Sequence, residues 1–227
     1  MSDVKILTLL PTRGIVLTET ISALHRELYS NTQSPSIITT HDLPLPASRN
    51  FLVETALKQT WWTHALLLDD DVILPEGWLK EALKLNADVA LANYPMQGKV
   101  DGKNCGTIVH DKDKSVAFGG LGAVLVKRSV FETMGQPWFV LTQYKINRTD
   151  DGSLGFYTGQ ADGGANWSAG EDTYFFLQCR KHKLKVKETK LVATHARLDQ
   201  LVTNSHNSRY TRQHIINKND KIERELL

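Results

Sequence analysis

The stretch Ala65-Leu66-Leu67-Leu68-Asp69-Asp70-Asp71-Val72-Ile73-Leu74 sets three consecutive carboxylates between two apolar runs. The run before them is short, unbroken and apolar, which reads as one buried strand with the acids at its end. Acids at the edge of a core repel one another and lose hydration, so the cluster calls for a counter-charge. Oxygen ligands suit a hard divalent cation, Mg2+ or Mn2+. If the extended geometry continues through the triplet, Asp69 and Asp71 share one side and ligate the cation, and Asp70 turns away. The competing reading is a solvated turn whose acids cap a helix.

Working outward, residues 4–10 (VKILTLL) read as a second buried strand, broken by Pro11-Thr12-Arg13-Gly14. Leu17, Ile21, Leu24 and Leu28 recur at steps of three and four and predict an amphipathic helix. Residues 37–40 form a short β-branched strand. After a loop over 41–47 with two prolines, Ser48 can cap a helix running to about Lys58, with Phe51, Leu52, Thr55 and Ala56 on one face. Beyond the triplet, Pro75 opens a helix over 77–85, and residues 88–94 (DVALANY) form a strand. This β-α alternation predicts a parallel sheet with helices on both faces. Such sheets gather ligands at the carboxyl ends of their strands, where Thr12, Arg13, Asp42 and the triplet all fall.

The second half reads differently. Residues 106–110 and 115–118 predict a hairpin about the charged turn 111–114. Residues 121–126 predict a strand, followed by a short helix that stops at Gly135. Residues 136–170 are polar, rich in glycine and aperiodic, and read as a loop whose Trp138 and Trp167 could close over a ligand. A helix over 171–183 and a strand over 184–194 follow, the strand delivering His195. The tail after Leu201 is polar; Arg209, Arg212, Lys218 and Lys221 allow contacts to a nucleic-acid backbone, or mark a solvated helix.

The chain has 227 residues, 41% of them hydrophobic, enough for one core of ordinary size. A net charge of +2 neither requires nor excludes a polyanionic partner. No stretch is long and apolar enough to span a bilayer, and the N-terminus lacks the features of a signal peptide, so a cytoplasmic location is expected. Cys105 and Cys179 lie far apart and read as reduced thiols.

Five further groups of residues carry candidate chemistry. Gly170-Glu171-Asp172 opens a helix, where the acids either favour the helix dipole or supply a general base. His195 is either structural or a nitrogen ligand in a mixed metal site. Pro11-Thr12-Arg13 is either a helix entry or a loop that meets a nucleotide, and Arg49 either contacts phosphate or base or covers a helix end. Gly119-Gly120-Leu121-Gly122 marks either a bulge or close backbone approach to a ligand.

Taken in order, Pro11–Gly14, Ser48-Arg49-Asn50, Leu67–Val72, Gly120–Arg128, Gly170–Phe175 and Thr194-His195 resemble the GT-A glycosyltransferases, especially small family-2-like members of bacteria and phages. The series spans about residues 4–197. The resemblance implies a single α/β domain over 1–200, with a Rossmann-like mixed, mainly parallel sheet flanked by helices, and a tail over 201–227. Residues 1–98 would bind the nucleotide sugar and 99–200 would hold the acceptor and catalytic groups. It further implies Asp69, Asp71 and His195 at the metal, and Asp172 as base with Glu171 orienting the acceptor. Pro11, Thr12, Arg13, Asp42, Arg49 and Asp70 would line the donor site, and Gly119, Gly120, Gly122 and Trp167 would face donor sugar and acceptor. A UDP-sugar is the favoured donor. The acceptor would be a saccharide, a lipid or a hydroxylated DNA base.

Three rival readings stay open at this point. A haloacid-dehalogenase-like phosphatase also ends an apolar strand in two spaced aspartates, but its motif opens the chain and wants Thr or Val where Ile73 stands. A sugar nucleotidyltransferase would want a basic, glycine-rich loop where Pro11–Gly14 stands. A non-catalytic module would bind a nucleotide sugar without transferring it.

Overall fold

The computed structural model describes residues 4–31, 36–41, 43–100, 103–141, 143–148, 154–158, 167–198, 202–204, 207–209, 211–215 and 222–226, the backbone alone for 96–100, 103–105, 143–148, 154–158, 167–169 and from 197 onward. The first strand, β1 (Ile6–Pro11), leads into helix α1 (Thr18–Asn31), then β2 (Ser36–Thr40), α2 (Leu45–Leu57), β3 (His64–Leu68) and a short β4 (Val72–Ile73). Helix α3 (Trp78–Lys84) and β5 (Val89–Leu91) complete the first half. Helices α4 (Arg128–Met134) and α5 (Glu171–Lys181) belong to the second.

The central sheet has six strands in the order Val186–Glu188, β5, Ala123–Lys127, β3, β1, β2. β2, β1 and β3 run parallel, as the alternation predicts. Ala123–Lys127 inserts antiparallel between β3 and β5, and Val186–Glu188 lies parallel to β5 at the edge. The sheet is therefore mixed and mainly parallel, and strands of the second half are built into that of the first. Both faces are covered. In β3, Ala65 and Leu67 face the core formed with α2, α4 and α5, while Leu66 and Leu68 face the core beneath α1 and α3. Strand pleating makes that division automatic and explains why the run before the aspartates is apolar without alternation.

Several expected boundaries move. Helix α2 starts at Leu45 rather than Ser48: Pro44 caps it and Pro46 sits in its first turn, where a missing N–H costs nothing. Its buried face is Ser48, Arg49, Leu52, Val53 and Ala56, and Phe51 is exposed. Residues 184–194 do not form one strand. Val186–Glu188 joins the sheet, and Thr194–His195 separately pairs antiparallel with β4. Within 136–170, strands Gln143–Arg148, Leu154–Thr158 and Trp167–Ala169 form a three-stranded antiparallel sheet, so the region is not a plain loop. Interstrand hydrogen bonds join backbone groups and need no apolar periodicity, so the pattern did not reveal the sheet. The tail holds strands, not a helix: Thr211–Ile215 pairs with Arg197–Leu198 and with Ile222–Leu226. Lys218 and Lys221 lie outside the described residues. The hairpin about 111–114 forms as expected, between Val109–His110 and Val116–Phe118.

Helix α3, which follows the acidic turn, is fastened from below by Glu27 of α1. This side chain is 2% exposed and accepts from Gly77 N–H at 2.9 Å and Leu79 N–H at 3.0 Å. A buried carboxylate thus satisfies two of the free amides at the start of a seven-residue helix. Glu27→Ala should destabilise the protein by about 2–4 kcal/mol in urea denaturation. A loss under about 0.5 kcal/mol, the range of an inert surface change, would show that α3 needs no such anchor.

Candidate functional site

β3 ends at Leu68, and the three aspartates form a turn closed by Val72 N–H donating to Asp69 O at 3.3 Å. Each backbone unit of the turn is held by a different part of the fold. Asp69 N–H donates to Gly122 O at 3.0 Å, beside strand Ala123–Lys127. Asp70 O accepts from Leu17 N–H at 3.0 Å, at the entry to α1, and Asp71 O accepts from Ala196 N–H at 2.8 Å, next to His195. Because the triplet is a turn, pleat alternation does not govern it. Asp70 does not turn away: it shares Arg13 with Asp71.

Two arginines answer the acids. Arg13 Nη2 lies 2.6 Å from Asp70 Oδ1 and 2.8 Å from Asp71 Oδ2, and its Nε lies 3.3 Å from Asp70 Oδ2. Arg49 Nη2 lies 2.7 Å from Asp69 Oδ1, its Nε 3.3 Å from Glu171 Oε1, and its Nη1 3.4 Å from Leu121 O. Arg49 is 2% exposed, so it is not a contact for phosphate or base. Its place on the buried face of α2 turns it inward, where it ties the triplet to the start of α5. Glu171 is likewise turned in toward Arg49 and is buried.

The cleft over the turn has a volume of about 250 Å3 and is lined by Pro11, Thr12, Arg13, Leu43, Leu45, Ser48, Asp69, Asp70, Asp71 and His195. Thr12 shapes its wall: its Oγ1 donates to Ile15 O at 3.0 Å and accepts from Gly14 N–H at 3.1 Å. Leu43 and Leu45 are exposed apolar residues on the rim, unremarked in sequence because a loop leucine carries no motif. Asp42 lies outside the described residues, as does the side chain of Trp167. Trp138 is 3% exposed, donates to Phe131 O at 2.8 Å and belongs to the core, so it covers no ligand.

The glycine run is approached by the protein's own side chains. A Cβ on Gly119 would meet Leu91 Cδ1 at 2.4 Å, and one on Gly120 would meet Tyr94 Oη at 2.2 Å. Gly122 alone adjoins the acids: a Cβ there would sit 2.8 Å from both Asp69 Oδ2 and Tyr94 Oη. Tyr94 is the residue that sequence reading missed. Its Oη accepts from Gly122 N–H at 2.9 Å, and its ring meets His195 edge-on at 5.6 Å. It is the last residue of the strand predicted over 88–94 from apolar pattern, where an aromatic looks like core, and it stands beyond the observed β5.

The ionisable groups feel one another. Burial raises the Asp69 carboxyl, Arg49 offsets this in part, and Asp71 adds to it. Burial also pushes Asp71 up, but the hydrogen bonds and charges of His195 and Arg13 outweigh it and hold Asp71 below the usual range. For His195, burial pulls down while Asp71 pulls up more strongly, leaving the imidazole above its ordinary value. Burial raises Asp172, and the neighbouring Glu171 raises it further.

Among the described residues, no three His, Cys, Asp or Glu side chains form a closed metal cage. The groups nonetheless fit a divalent cation shared with a substrate. Asp71 Oδ1 and His195 Nε2 stand 3.4 Å apart, close to the roughly 3 Å between adjacent ligands of one ion at metal–ligand lengths of about 2.1 Å. His195 Nδ1 faces Pro95 O at 3.3 Å, which suits a proton on Nδ1 and leaves Nε2 as the ligating atom. Cations of this class keep open positions for phosphate and water.

No protein-family model and no curated protein matches the chain. Solved structures do. The chain shares the fold of A197 from STIV. That likeness has a TM-score of 0.51 at 18% identity, over 94% of this chain and 86% of that one. Looser matches include a mutant Drosophila beta-1,4-galactosyltransferase 7 in complex with manganese, UDP-Gal and xylobiose (TM-score 0.45, 16% identity, 94% and 72% covered). Another is a glycosyltransferase involved in glycosylation of the major capsid of PBCV-1 (0.32, 14%, 59% and 69%). Among the described residues no helix is long and apolar enough to cross a membrane.

Two measurements follow from this geometry. Arg49→Ala leaves Asp69 and Glu171 without their buried counter-charge and should cost about 3–5 kcal/mol, part of it recovered when Asp69→Asn and Glu171→Gln are added. An Arg49→Ala protein as stable as the parent would contradict the network. In the metal-free protein, NMR should place the His195 titration above that of an ordinary histidine, and Asp71→Asn should lower it. The sign is that of a raised base: the His195–Asp71 contribution to stability is full below the unfolded histidine pKa and fades as pH rises through the folded one.

Proposed function

We propose that the chain is a metal-dependent glycosyltransferase that moves a sugar from a nucleoside-diphosphate donor, a UDP-sugar being favoured, to an acceptor hydroxyl. The observation that supports this most is the meeting of the acidic turn with His195 in one cleft at the carboxyl end of β1 and β3. That cleft has an apolar rim at Leu43 and Leu45 and a polar, acidic floor, which suits a nucleoside above and a diphosphate below. A bound Mg2+ or Mn2+ would supply Lewis-acid stabilisation of the charge that develops on the departing diphosphate.

The chain's own groups then divide the work. Asp71 and His195 would hold the cation, their Oδ1 and Nε2 being the atoms that face each other. Asp69 keeps Oδ1 on Arg49, so its Oδ2 is the atom left for the cation or a ribose hydroxyl. Pro11 and Thr12 form the wall against the nucleoside. Asp172, at the first turn of α5, is the proposed base. Its raised carboxyl is better matched to accepting a hydroxyl proton near neutral pH than an ordinary aspartate, and its Oδ1 is braced by Thr173 N–H at 2.7 Å. Glu171 acts through Arg49 as the brace between donor and acceptor sides rather than as an acceptor contact. The acceptor is a saccharide, a lipid-linked sugar or a hydroxylated DNA base.

A screen of nucleotide sugars for manganese-dependent hydrolysis, with and without hydroxymethylated DNA, tests the reading directly. Asp71→Asn should lose metal-dependent donor binding in calorimetry. Asp172→Asn should keep donor binding and lose transfer by about 100-fold or more, the scale of one general base. Turnover of a generic phosphate ester with no nucleotide-sugar hydrolysis would point to a phosphatase instead.

A further inference from the structure

Arg13 is the most open part of the acidic turn. Its side chain is 62% exposed, whereas those of Asp70 and Asp71 are 5% and 8% exposed. One guanidinium nitrogen spans both acids, at 2.6 and 2.8 Å. A cation is thus already in place on the face of Asp71 that adjoins the cleft, and a divalent ion on the same carboxylate would be repelled by it. The loop that carries Arg13 does not depend on the side chain. Arg13 N–H donates to Asp70 Oδ2 at 3.0 Å, Thr12 N–H to Thr40 O at 2.9 Å, and Leu17 N–H to Asp70 O at 3.0 Å. The guanidinium can therefore leave while its loop stays folded.

We propose, building on the metal-dependent donor binding argued above, that Arg13 is an exchangeable counter-cation. It occupies Asp71 while the turn holds no metal, and it moves to a phosphate oxygen when a metal–nucleoside diphosphate complex enters. The complex brings both halves of the exchange. Its metal would take the other oxygen of Asp71 and repel the guanidinium from Oδ2, and its phosphates give the planar guanidinium two oxygens to bond. Metal alone is opposed by Arg13 across the same carboxylate and offers it nothing in return. Metal and nucleotide therefore bind cooperatively, and Arg13 sets the size of that coupling. Asp70, gripped through both oxygens, is the pivot from which the side chain swings.

The test is Mn2+ binding followed by electron paramagnetic resonance, on the full chain, with Mn2+ alone and with each of UDP, GDP, ADP and dTDP. In the parent, Mn2+ alone should bind weakly, and the matching nucleotide should tighten it by about tenfold or more. Arg13→Ala and Arg13→Gln should bind Mn2+ alone about tenfold more tightly than the parent and lose most of the nucleotide-dependent gain. Arg13→Lys keeps a charge without the fork and should stay near the parent for Mn2+ alone. Thermal melts of the three variants check folding, and the charge series stands even if one of them is destabilised. Unchanged or weaker Mn2+ affinity in both neutral variants, with the parent still binding Mn2+ in the presence of a nucleotide, would overturn the exchange and leave the metal reading intact. Absence of Mn2+ binding in the parent with every nucleotide would overturn both.

Discussion

Three adjacent carboxylates at the end of a buried strand are mutually repulsive, and the surrounding architecture consists largely of what makes them tolerable. Their backbone cannot spread apart, because Asp69 is bonded to Gly122, Asp70 to Leu17 and Asp71 to Ala196. Those bonds come from the strand inserted beside β3, from the entry to α1 and from the segment carrying His195. The turn is thus a junction at which distant parts of the chain meet, and its position in the sheet fixes theirs. With the backbone held, only counter-charge can relieve the repulsion. Arg13 and Arg49 supply it within the protein, and His195 adds to it when protonated.

The central half of the fold was legible because β1 and β3 are buried on both faces and read as unbroken apolar runs, and α1 carries a clean stripe. What could not be read was set by partners far away in sequence. Ala123–Lys127 reads as a strand, but nothing local says that it enters antiparallel between β3 and β5. His195 was placed on the end of a long strand, and it instead sits on a separate two-residue strand against β4. That pairing brings it to Asp71. In the site, residue type pointed correctly to an acidic cluster but not to orientation. Extended geometry would turn Asp70 away; the turn hands it to Arg13. Arg49 was read as a contact for phosphate or base, or as the cover of a helix end, since arginine is mostly exposed. Only the packing of α2 against the sheet shows that it is buried. Tyr94, braced on Gly122 and set edge-on to His195, has the sequence signature of an ordinary core aromatic.

Arg49 also explains how two stretches separated by more than a hundred residues form one site. It touches Asp69 and Glu171 through different nitrogens and carries the carbonyl of Leu121 as well. A change in the charge of Asp69 is therefore felt at the first turn of α5, where Asp172 stands. The coupling needs no moving part. It follows from a shared guanidinium in a poorly solvated place, where charges are weakly screened.

The two arginines serve the same acids under different dielectric conditions, and that difference assigns their roles. An ion pair with one partner largely in water is worth about 0–1 kcal/mol, so a competing cation can break it. Removing one member of a buried pair costs about 3–5 kcal/mol, because the partner's charge is stranded. Arg13 is open to solvent and belongs to the first case; Arg49 is enclosed and belongs to the second. Reversing their burial would give a turn whose permanent counter-charge blocked the cleft while its scaffold came loose from α5. The observed arrangement puts the breakable pair on the open cleft and the unbreakable one where the sheet meets the helix.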